Sequence, residues 1–449
     1  MKTEAAIPLL QLDEPQQVAV WREGRPLTRA ALLSEAHRLA EELPDRRYVL
    51  NACTMRDAFL VAFLAAMLRG QITVLPNDRS HHVSVALLAR CPGLYCLSDA
   101  ASPHEGLETW PIKLGHPGTP SHQSVPAIPG DQTAAIAFTS GSTGDPQPNV
   151  KSIGMLATTA RLIADRFQFG QSGPTAILAT VPPQHMYGLE TSVALPLWAG
   201  LCVHAARPLY PADVTAALSA LPSPRVLVTT PIHLRALLAA GLELPRLHFV
   251  VSATAPLSRE MAKQAEQSFE APVFEIFGFA EAGTIATRRT IAGERWRTCD
   301  GLTLSQNDGV CVVQARHFPA PVPLNDLVEL ISPEEFVLLG RTSDNINIAG
   351  KRASLSGLNS ILNGITGVVD GTFYLSEQSD GSKVERLVAF VVAPDRSREK
   401  IRSELQRSID PTFMPRQIYL VPHLPRSATG KLPRADLDSL AKRLRENRR

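Results

Sequence analysis

Alternating hydroxyl and glycine residues form the strongest chemical pattern in the chain. The pattern follows an apolar stretch, Ala134–Phe138, and comprises Thr139, Ser140, Gly141, Ser142, Thr143 and Gly144. Glycines let the backbone adopt positive φ angles and approach a ligand closely. The exposed N–H groups and hydroxyls of such a turn can surround an anion such as phosphate. A Walker A loop is excluded because no Gly-Lys-Ser/Thr follows. A polar turn without a ligand is the alternative, so other segments must decide.

Three further motifs follow this turn in a fixed order. The first, 277–281, comes after a predicted strand, the second pairs Gly340–Asp344 with Ile348–Arg352, and the third, Leu424–Lys431, lies near the C-terminus. With the turn, this set resembles the adenylate-forming superfamily of acyl-CoA synthetases, peptide-synthetase adenylation domains and luciferases. The resemblance covers residues 131–434. One motif would be weak evidence, whereas four in this order at family-like spacing are hard to obtain by chance.

The elements that must position these motifs alternate between short apolar runs and helical patterns. The periodicity predicts strands at 175–181, 201–205, 225–229 and 247–251, and helices at 188–198, 231–240 and 258–268. This rhythm favours an α/β architecture with buried sheets. Beyond position 341 a smaller α+β pattern follows, with strands at 386–392 and 417–421 around a helix at 397–408. Stretches rich in Pro, Gly and polar residues predict surface loops at 102–131 and 145–149.

The length and the pattern together predict two domains. A chain of 449 residues exceeds the limit of about 250–300 residues for a single core. We predict a large N-terminal adenylate-forming domain of layered α/β subdomains at 1–341, which binds ATP and the acid. We predict a small, mobile α+β C-terminal domain at 342–449, which carries the catalytic lysine.

Composition excludes several classes of protein. The net charge of +2 gives no general case for a nucleic-acid or membrane partner. The most apolar run, Ala58–Leu68, is far shorter than the roughly 20 residues that span a bilayer, and we expect a buried helix and no membrane insertion. The six cysteines form no zinc-site spacing, so buried reduced thiols and a cytoplasmic location are expected.

The resemblance implies ATP and Mg²⁺ as cofactors and gives each motif a role. The turn at 139–144 would hold the phosphates of ATP. Family members carry a lysine just after the turn; here Gln147 stands at that place, and Lys151 substitutes if the loop bulges at Pro148. Glu281, with Thr143, would place Mg²⁺, which prefers oxygen ligands. The remaining nucleotide contacts implied are Ser252, Ala253, Thr254, Phe277, Gly278, Phe279, Ala280, Asp326, Arg341 and Lys431. Surface or turn roles remain the plain alternatives for Glu281, Asp326 and Arg341.

Lys431 matches the family's catalytic lysine. A carboxylate and the α-phosphate that it attacks are both negative, and an ammonium group that contacts both would stabilise the charge at the transition state. In the family the small domain then swings about a hinge, which is Ser343 here. Gly350, with Arg352, would line the tunnel for the pantetheine arm after the swing.

The acid pocket is predicted behind a gate at Val181–Leu189. His185 matches the family's gate residue and is expected to act in catalysis and acid binding. The other acid-binding residues predicted are Tyr187, Ser252, Gly278 and Phe279. Flat side chains suit a flat aryl acid, although His185 and Tyr187 could simply pack in the core. Met186 replaces the Asn typical of 2-hydroxybenzoate enzymes, which favours 3- or 4-hydroxybenzoate; a fatty acid stays open.

We therefore predict an AMP-forming acid–thiol ligase that transfers a hydroxybenzoyl group to the phosphopantetheine thiol of an acyl carrier protein. In type it resembles the stand-alone ligases of aryl-polyene and xanthomonadin pigment pathways. The basic C-terminal tail, 441–449, could steer an acidic carrier protein or be only a frayed helix end. Coenzyme A as acceptor is the first alternative. A non-catalytic carrier-binding relative is the second, because Gln147, Ala280 and Ser343 depart from the family pattern.

Overall fold

The computed structural model describes residues 6–11, 13–22, 26–76, 87–100, 106–115, 124–140, 146–169, 174–307, 310–341, 345–348, 351–376, 386–427, 430 and 432–446. Its strands are β1 (Ala6–Pro8), β2 (Val18–Trp21), β3 (Leu27–Thr28), β4 (Tyr48–Asn51), β5 (Ile72–Leu75), β6 (Tyr95–Ser98), β7 (Thr109–Pro111), β8 (Ala127–Pro129), β9 (Thr133–Ser140), β10 (Pro146–Ser152), β11 (Ala176–Ala179), β12 (Cys202–His204), β13 (Arg225–Thr229), β14 (Phe249–Ser252), β15 (Val273–Phe279), β16 (Gly283–Arg289), β17 (Arg295–Thr298), β18 (Thr303–Asn307), β19 (Val310–Gln314), β20 (Val322–Pro323), β21 (Asp326–Ser332), β22 (Glu335–Arg341), β23 (Asn345–Ile348), β24 (Lys351–Ser354), β25 (Asp370–Ser376), β26 (Arg386–Val392) and β27 (Gln417–Leu420). Its α-helices are α1 (Arg29–Glu42), α2 (Arg56–Leu68), α3 (Ile153–Phe167), α4 (Met186–Leu189), α5 (Leu195–Trp198), α6 (Pro211–Ala220), α7 (Pro231–Ala239), α8 (Arg259–Phe269), α9 (Leu355–Gly364), α10 (Arg398–Ser408) and α11 (Arg434–Glu446).

Two large sheets organise the N-terminal part. One has six strands in the order β10-β9-β5-β4-β6-β7, and the other has eleven in the order β21-β22-β17-β16-β15-β14-β13-β11-β12-β2-β3. In the larger sheet β11 to β15 run parallel to one another. Their carboxyl ends therefore meet at one edge, which is where open α/β sheets bind ligands.

The main core lies between helices and the inner faces of both sheets. It joins residues of α1, α2 and α3 to buried positions of β11, β13 and β14. Apolar runs such as Val226–Val228 are buried on both faces, as parallel strands covered by helices require. The predicted buried helix is confirmed as α2, in which Phe59 and Phe63 stack at a centroid distance of 6.2 Å.

A second, smaller α+β unit follows. Strands β25, β26 and β27 form a three-stranded sheet. Its own core includes Phe373, Val391, Ile401 and Leu405. Helix α10 starts where predicted because the Ser397 side chain accepts a hydrogen bond from the Lys400 amide. The predicted fold class is thereby confirmed. The domain boundary after Arg341 stays a prediction.

The structure corrects two predicted loops. The stretch 145–149 lies largely in β10, which pairs in continuous register with β9 from Pro146 to Lys151. Prolines lack an N–H group but are compatible with edge strands, and β10 is an edge strand. The predicted loop at 102–131 contains β7 and β8, so it is a surface loop only in part.

The predicted helix at 188–198 is interrupted. It consists of the end of α4, a π-helical segment at Glu190–Ala194, and α5. A π-helical turn inserts extra backbone into a helix and is frequent near functional sites. Within the described residues, no helix is both long enough and apolar enough to cross a bilayer. All six cysteines are free and buried, as predicted.

Candidate active site

The hydroxyl–glycine turn joins the two strands of a hairpin. Thr139 and Ser140 end β9, and Ser140 pairs with Pro146 at the start of β10. Gly141, Ser142, Thr143 and Gly144 lie outside the described residues, so their expected contact with phosphate stays a prediction.

Lys151 lies at the opposite end of this hairpin from the turn. It pairs with Ala135, and the register irregularity falls after Lys151, whereas Pro148 pairs regularly with Phe138. Five residues of strand correspond to about 17 Å at the usual rise per residue. The Lys151 side chain is 2% exposed, and its Nζ donates to the Glu281 backbone oxygen at 2.8 Å. The described strand therefore has no bulge at Pro148, on which the predicted phosphate-binding role of Lys151 depended, and the Lys151 ammonium group contacts the backbone of Glu281.

Glu281 lies in the three-residue turn 280–282 between β15 and β16, with an exposed side chain. The strand register shifts between Phe277 and Gly278. A Cβ atom at Gly278 would lie 2.3 Å from the Gly283 backbone oxygen, so only glycine fits there. The close approach of these two glycines forms a tight turn that presents the Glu281 carboxylate to solvent.

Glu190 is a buried carboxylate behind the same turn. It begins the π-helical segment and is 3% exposed. Its Oε2 accepts hydrogen bonds from the Thr284 amide at 3.1 Å and from the Thr284 hydroxyl at 2.6 Å. Burial raises the pKa of Glu190, opposed by the bonds from Thr284 and by the charge of Lys151. Burial likewise lowers the pKa of Lys151, opposed by the charges of Glu190 and Glu281.

The carboxyl edge of the large sheet holds hydroxyl groups without partners. Ser252 Oγ and Thr230 Oγ1 are buried and find no hydrogen-bond partner among the described residues. Buried hydroxyls are normally paired, so this edge suits a polar ligand group. Thr254 has a φ of 79°, a strained value for a residue with a branched side chain. Strain of this kind clusters at ligand sites.

The gate segment is tied to this edge through Tyr187. The Tyr187 hydroxyl lies 3.0 Å from the Val251 backbone oxygen and 3.2 Å from that of Thr229. It can donate its one proton to either carbonyl, and burial raises its pKa well above the usual range. Its hydroxyl thus anchors the segment to two strands. His185 is half-buried and stands at the start of α4.

A histidine that the sequence did not single out belongs to the same edge. His233 Nδ1 lies 2.8 Å from the Thr180 hydroxyl, which lies 2.9 Å from the Thr229 hydroxyl. Burial lowers the pKa of His233, helped by the positive charge of Arg207. The neutral His233 imidazole therefore ends a chain of hydroxyl groups at the carboxyl edge of the large sheet.

The structure brings some predicted nucleotide residues together and separates others. Asp326 and Arg341 are direct partners in the register of β21 and β22. The Phe277 ring instead packs between Trp296 and Phe336, at centroid distances of 5.6 and 5.7 Å. Three further predicted nucleotide contacts lie at the sheet edge and in the turn. Ala253 is buried, and Phe279 and Ala280 are half-buried.

The C-terminal motif contacts helix α7 of the N-terminal part. A Cβ atom at Gly430 would lie 3.2 Å from Ile232 Cγ2. Ile232 is in the first turn of α7, directly after Thr230 and Pro231. Lys431, Ser343 and Gly350 lie outside the described residues. Arg352 pairs with Asn347 in the β23–β24 hairpin.

Glu190 and His233 are the site residues that the sequence analysis missed. Glu190 is the one charged residue in the predicted helix 188–198, which was the available indication for it. No comparable indication exists for His233, because its partner Thr180 lies 53 residues earlier in the chain.

Comparisons with known proteins identify the family of the chain. The family profile described as AMP-binding enzyme matches residues 11–316, and that described as AMP-binding enzyme C-terminal domain matches residues 376–431. The chain is 27% identical over 314 residues to 4-coumarate–CoA ligase of Rhodobacter capsulatus, covering 69% of this chain and 77% of that relative. It is also 27% identical over 342 residues to the probable 2-succinylbenzoate–CoA ligase of Mycobacterium tuberculosis, covering 68% and 84%.

Solved structures share the fold. O-succinylbenzoate coenzyme A synthetase from Bacillus subtilis in complex with AMP superposes with a TM-score of 0.80 at 19% identity, over 96% of this chain and 98% of that one. The same synthetase in complex with ATP and magnesium ion gives a TM-score of 0.78. Because the first family profile matches more than half of the chain, this protein belongs to the AMP-binding enzyme family and is an AMP-forming ligase that joins an acyl or aryl acid to a thiol.

Proposed function

We propose that the enzyme uses ATP and Mg²⁺ to convert 3- or 4-hydroxybenzoate into its acyl-adenylate and then transfers the acyl group to the phosphopantetheine thiol of an acyl carrier protein. In the first step a carboxylate oxygen bonds to the α-phosphorus, and the bond from that phosphorus to pyrophosphate breaks. In the second step the thiolate attacks the acyl carbon, and AMP leaves. The thiol proton goes to solvent or a nearby base.

The position of Gly430 supports the catalytic assignment most strongly. Gly430, the residue before Lys431, contacts Ile232 of α7, and α7 begins directly after Thr230 at the carboxyl edge of the large sheet. An ammonium group at this edge would offset the repulsion between carboxylate and α-phosphate. The proposal also includes catalytic roles for His185 and Glu281.

The described residues suit Mg²⁺ bound chiefly through nucleotide phosphates. Among them, no cluster of three or more His, Cys, Asp or Glu side chains forms a metal cage, whereas Glu281 supplies one exposed carboxylate. Mg²⁺ is usually held by one or two carboxylates together with substrate phosphates and waters. When bound, Mg²⁺ would neutralise phosphate charge; Glu281, with Thr143, would hold it, and Asp326 with Arg341 would contact the ribose.

An aryl substrate is supported by the relatives. The two curated relatives are named for 4-coumarate and 2-succinylbenzoate, and both names denote acids with an aromatic ring. Their names also specify CoA as the acceptor, which makes CoA the second candidate. The tail 441–449 has five basic residues and one acidic residue, and this excess would attract an acidic carrier protein. CoA carries phosphate groups and is also anionic, so the experiment below must distinguish the two acceptors.

The deciding experiment measures acid-dependent pyrophosphate release with benzoates, cinnamates and fatty acids, each with CoA and with a holo carrier protein. Turnover of a hydroxybenzoate with the carrier protein alone is the expected result. Turnover with CoA but not with the carrier protein would identify CoA as the acceptor. A preference for fatty acids would show that the proposed acid is wrong. An absence of pyrophosphate release with any acid would favour a non-catalytic carrier-binding protein.

Lys431→Ala tests the catalytic role directly. Loss of one preorganised charge should reduce adenylation by on the order of 10²–10³-fold, while thioester formation from preformed acyl-adenylate should change much less. An equal loss in both steps would contradict the assignment.

A further inference from the structure

Lys151 is a buried cation that connects two sheets. It belongs to β10 of the six-stranded sheet, and its Nζ contacts the backbone oxygen of Glu281 in a turn of the eleven-stranded sheet. An ammonium group has three donors, and the Glu281 oxygen is its one hydrogen-bond acceptor among the described residues. Burial of a charge with so little compensation is costly, so a nearby negative charge is required.

Glu190 supplies that charge and also fixes the far side of the turn. Its carboxylate accepts bonds from both the amide and the hydroxyl of Thr284. A Cβ atom at Gly283 would lie 2.2 Å from Glu190 Oε1, so the carboxylate packs directly on the turn backbone. Gly283 also has a φ of 79°, which restricts this position to glycine.

The turn 280–282 is therefore held at two points, in its middle and just after its C-terminal end. Lys151 binds the carbonyl of Glu281 itself, and Glu190 binds Thr284 just after the turn. Neither buried side chain is directed to solvent, whereas the Glu281 carboxylate between them is exposed. Two well-packed apolar residues would stabilise the fold at least as well as separated buried charges, so stability alone does not account for this arrangement.

We infer that Lys151 and Glu190 form a buried clamp that positions the Glu281 carboxylate for the metal–nucleotide complex. The inference rests on the proposed use of Mg²⁺ and ATP. Lys151 and Glu190 are positioning residues in this scheme, because they act through the backbone of the turn and contact no reacting atom. The clamp also gives Lys151 a role different from that of the phosphate-binding lysine which the sequence suggested.

The test compares Lys151→Met and Glu190→Gln with a matched control, Glu275→Gln. Glu275 is likewise 3% exposed and accepts hydrogen bonds from Arg288 and the Leu257 amide, and none of its hydrogen bonds among the described residues reaches the turn 280–282. Lys151→Arg keeps the charge and serves as the conservative variant. Hydrogen exchange by mass spectrometry reports on the turn whether or not the enzyme is active, and the Mg²⁺ dependence of adenylation reports on function.

Loss of the clamp should raise exchange in peptides covering 278–286 by about tenfold or more, as expected for a locally opened segment. The Mg²⁺ concentration for half-maximal adenylation should rise by a similar factor, the KM of the acid should change less than about twofold, and Lys151→Arg should recover part of the loss. The control should match the wild type in both measurements.

Exchange no greater than in the control would overturn the clamp. Faster exchange with an unchanged Mg²⁺ midpoint would reduce the pair to a structural role and also overturn the inference. If the wild type itself releases no pyrophosphate, the proposed function fails, and the exchange result then decides the clamp on its own.

Discussion

Gly188 offers a quantitative test of how the gate segment is held. A Cβ atom there would lie 2.0 Å from the Pro182 backbone oxygen and 2.8 Å from the Pro182 carbonyl carbon. Both are backbone atoms, so Gly188→Ala must separate α4 from the preceding segment by on the order of 1 Å in a core packed at crystal-like density. Overpacking of this kind typically costs about 1–3 kcal/mol, and replacing a helical glycine by alanine returns only about 0.5–1 kcal/mol.

We expect Gly188→Ala to destabilise the protein by about 2 kcal/mol and, for a domain of this size, to lower Tm by about 3 °C. The same shift would move His185 and Tyr187, so the KM of the acid should rise while the KM of ATP changes little. Thermal unfolding and initial-rate kinetics measure the two effects. Gly364→Ala is the matched control, because Gly364 ends helix α9 with nothing within 4 Å of an added Cβ. A Tm for Gly188→Ala equal to that of this control would refute the packing argument.

Three further outcomes are expected. Tyr187→Phe keeps the ring but leaves the Thr229 and Val251 carbonyls without this donor, and it should lower stability by about 1–2 kcal/mol with less than about a twofold change in the KM of the acid; a larger KM change would mean that the hydroxyl contacts substrate. Burial lowers the pKa of His233, so near and below about pH 6.5 the unfolded state binds more protons than the folded state, and the free energy of unfolding falls as the pH is lowered. His233→Gln should therefore lose less stability than the wild type between pH 7 and pH 5. An unchanged pH dependence of unfolding in this variant would contradict the argument. Burial raises the pKa of the Cys202 and Cys299 thiols to about 12. A disulfide reagent at pH 8 should therefore react slowly with the native protein, whereas all six thiols should react after denaturation. Rapid reaction of the native protein would argue against the packed core.

Local patterns were sufficient to predict the parallel strands. Arg225–Thr229 forms β13 and Arg386–Val392 forms β26, both with the predicted bounds, because β-branched and apolar residues run without interruption and polar residues bound them. Helix starts were predictable for the same local reason. Ser258 and Ser397 cap their helices by accepting an amide three residues ahead.

The parts that could not be predicted depend on distant partners. Glu190 and Thr284 are separated by 94 residues, and Lys151 and Glu281 by 130, so nothing local predicts either contact. Pro146 and Pro148 predicted a loop because proline disrupts a central strand, but only the sheet order reveals that β10 is at an edge. Tyr187 was expected to stack on the acid, and its hydroxyl contact with two strand ends required the tertiary structure.

The edge position of β10 has a consequence for the behaviour of the protein at high concentration. An edge strand usually offers a row of N–H groups to which another chain can add a strand. Pro146 and Pro148 stand two residues apart, and backbone N–H groups two residues apart point to the same side of a strand. The two prolines therefore remove two hydrogen-bond donors from one side of β10. The hairpin can therefore keep a long, regular edge that is a poor template for intermolecular β-sheet, which protects the protein from aggregation through this edge.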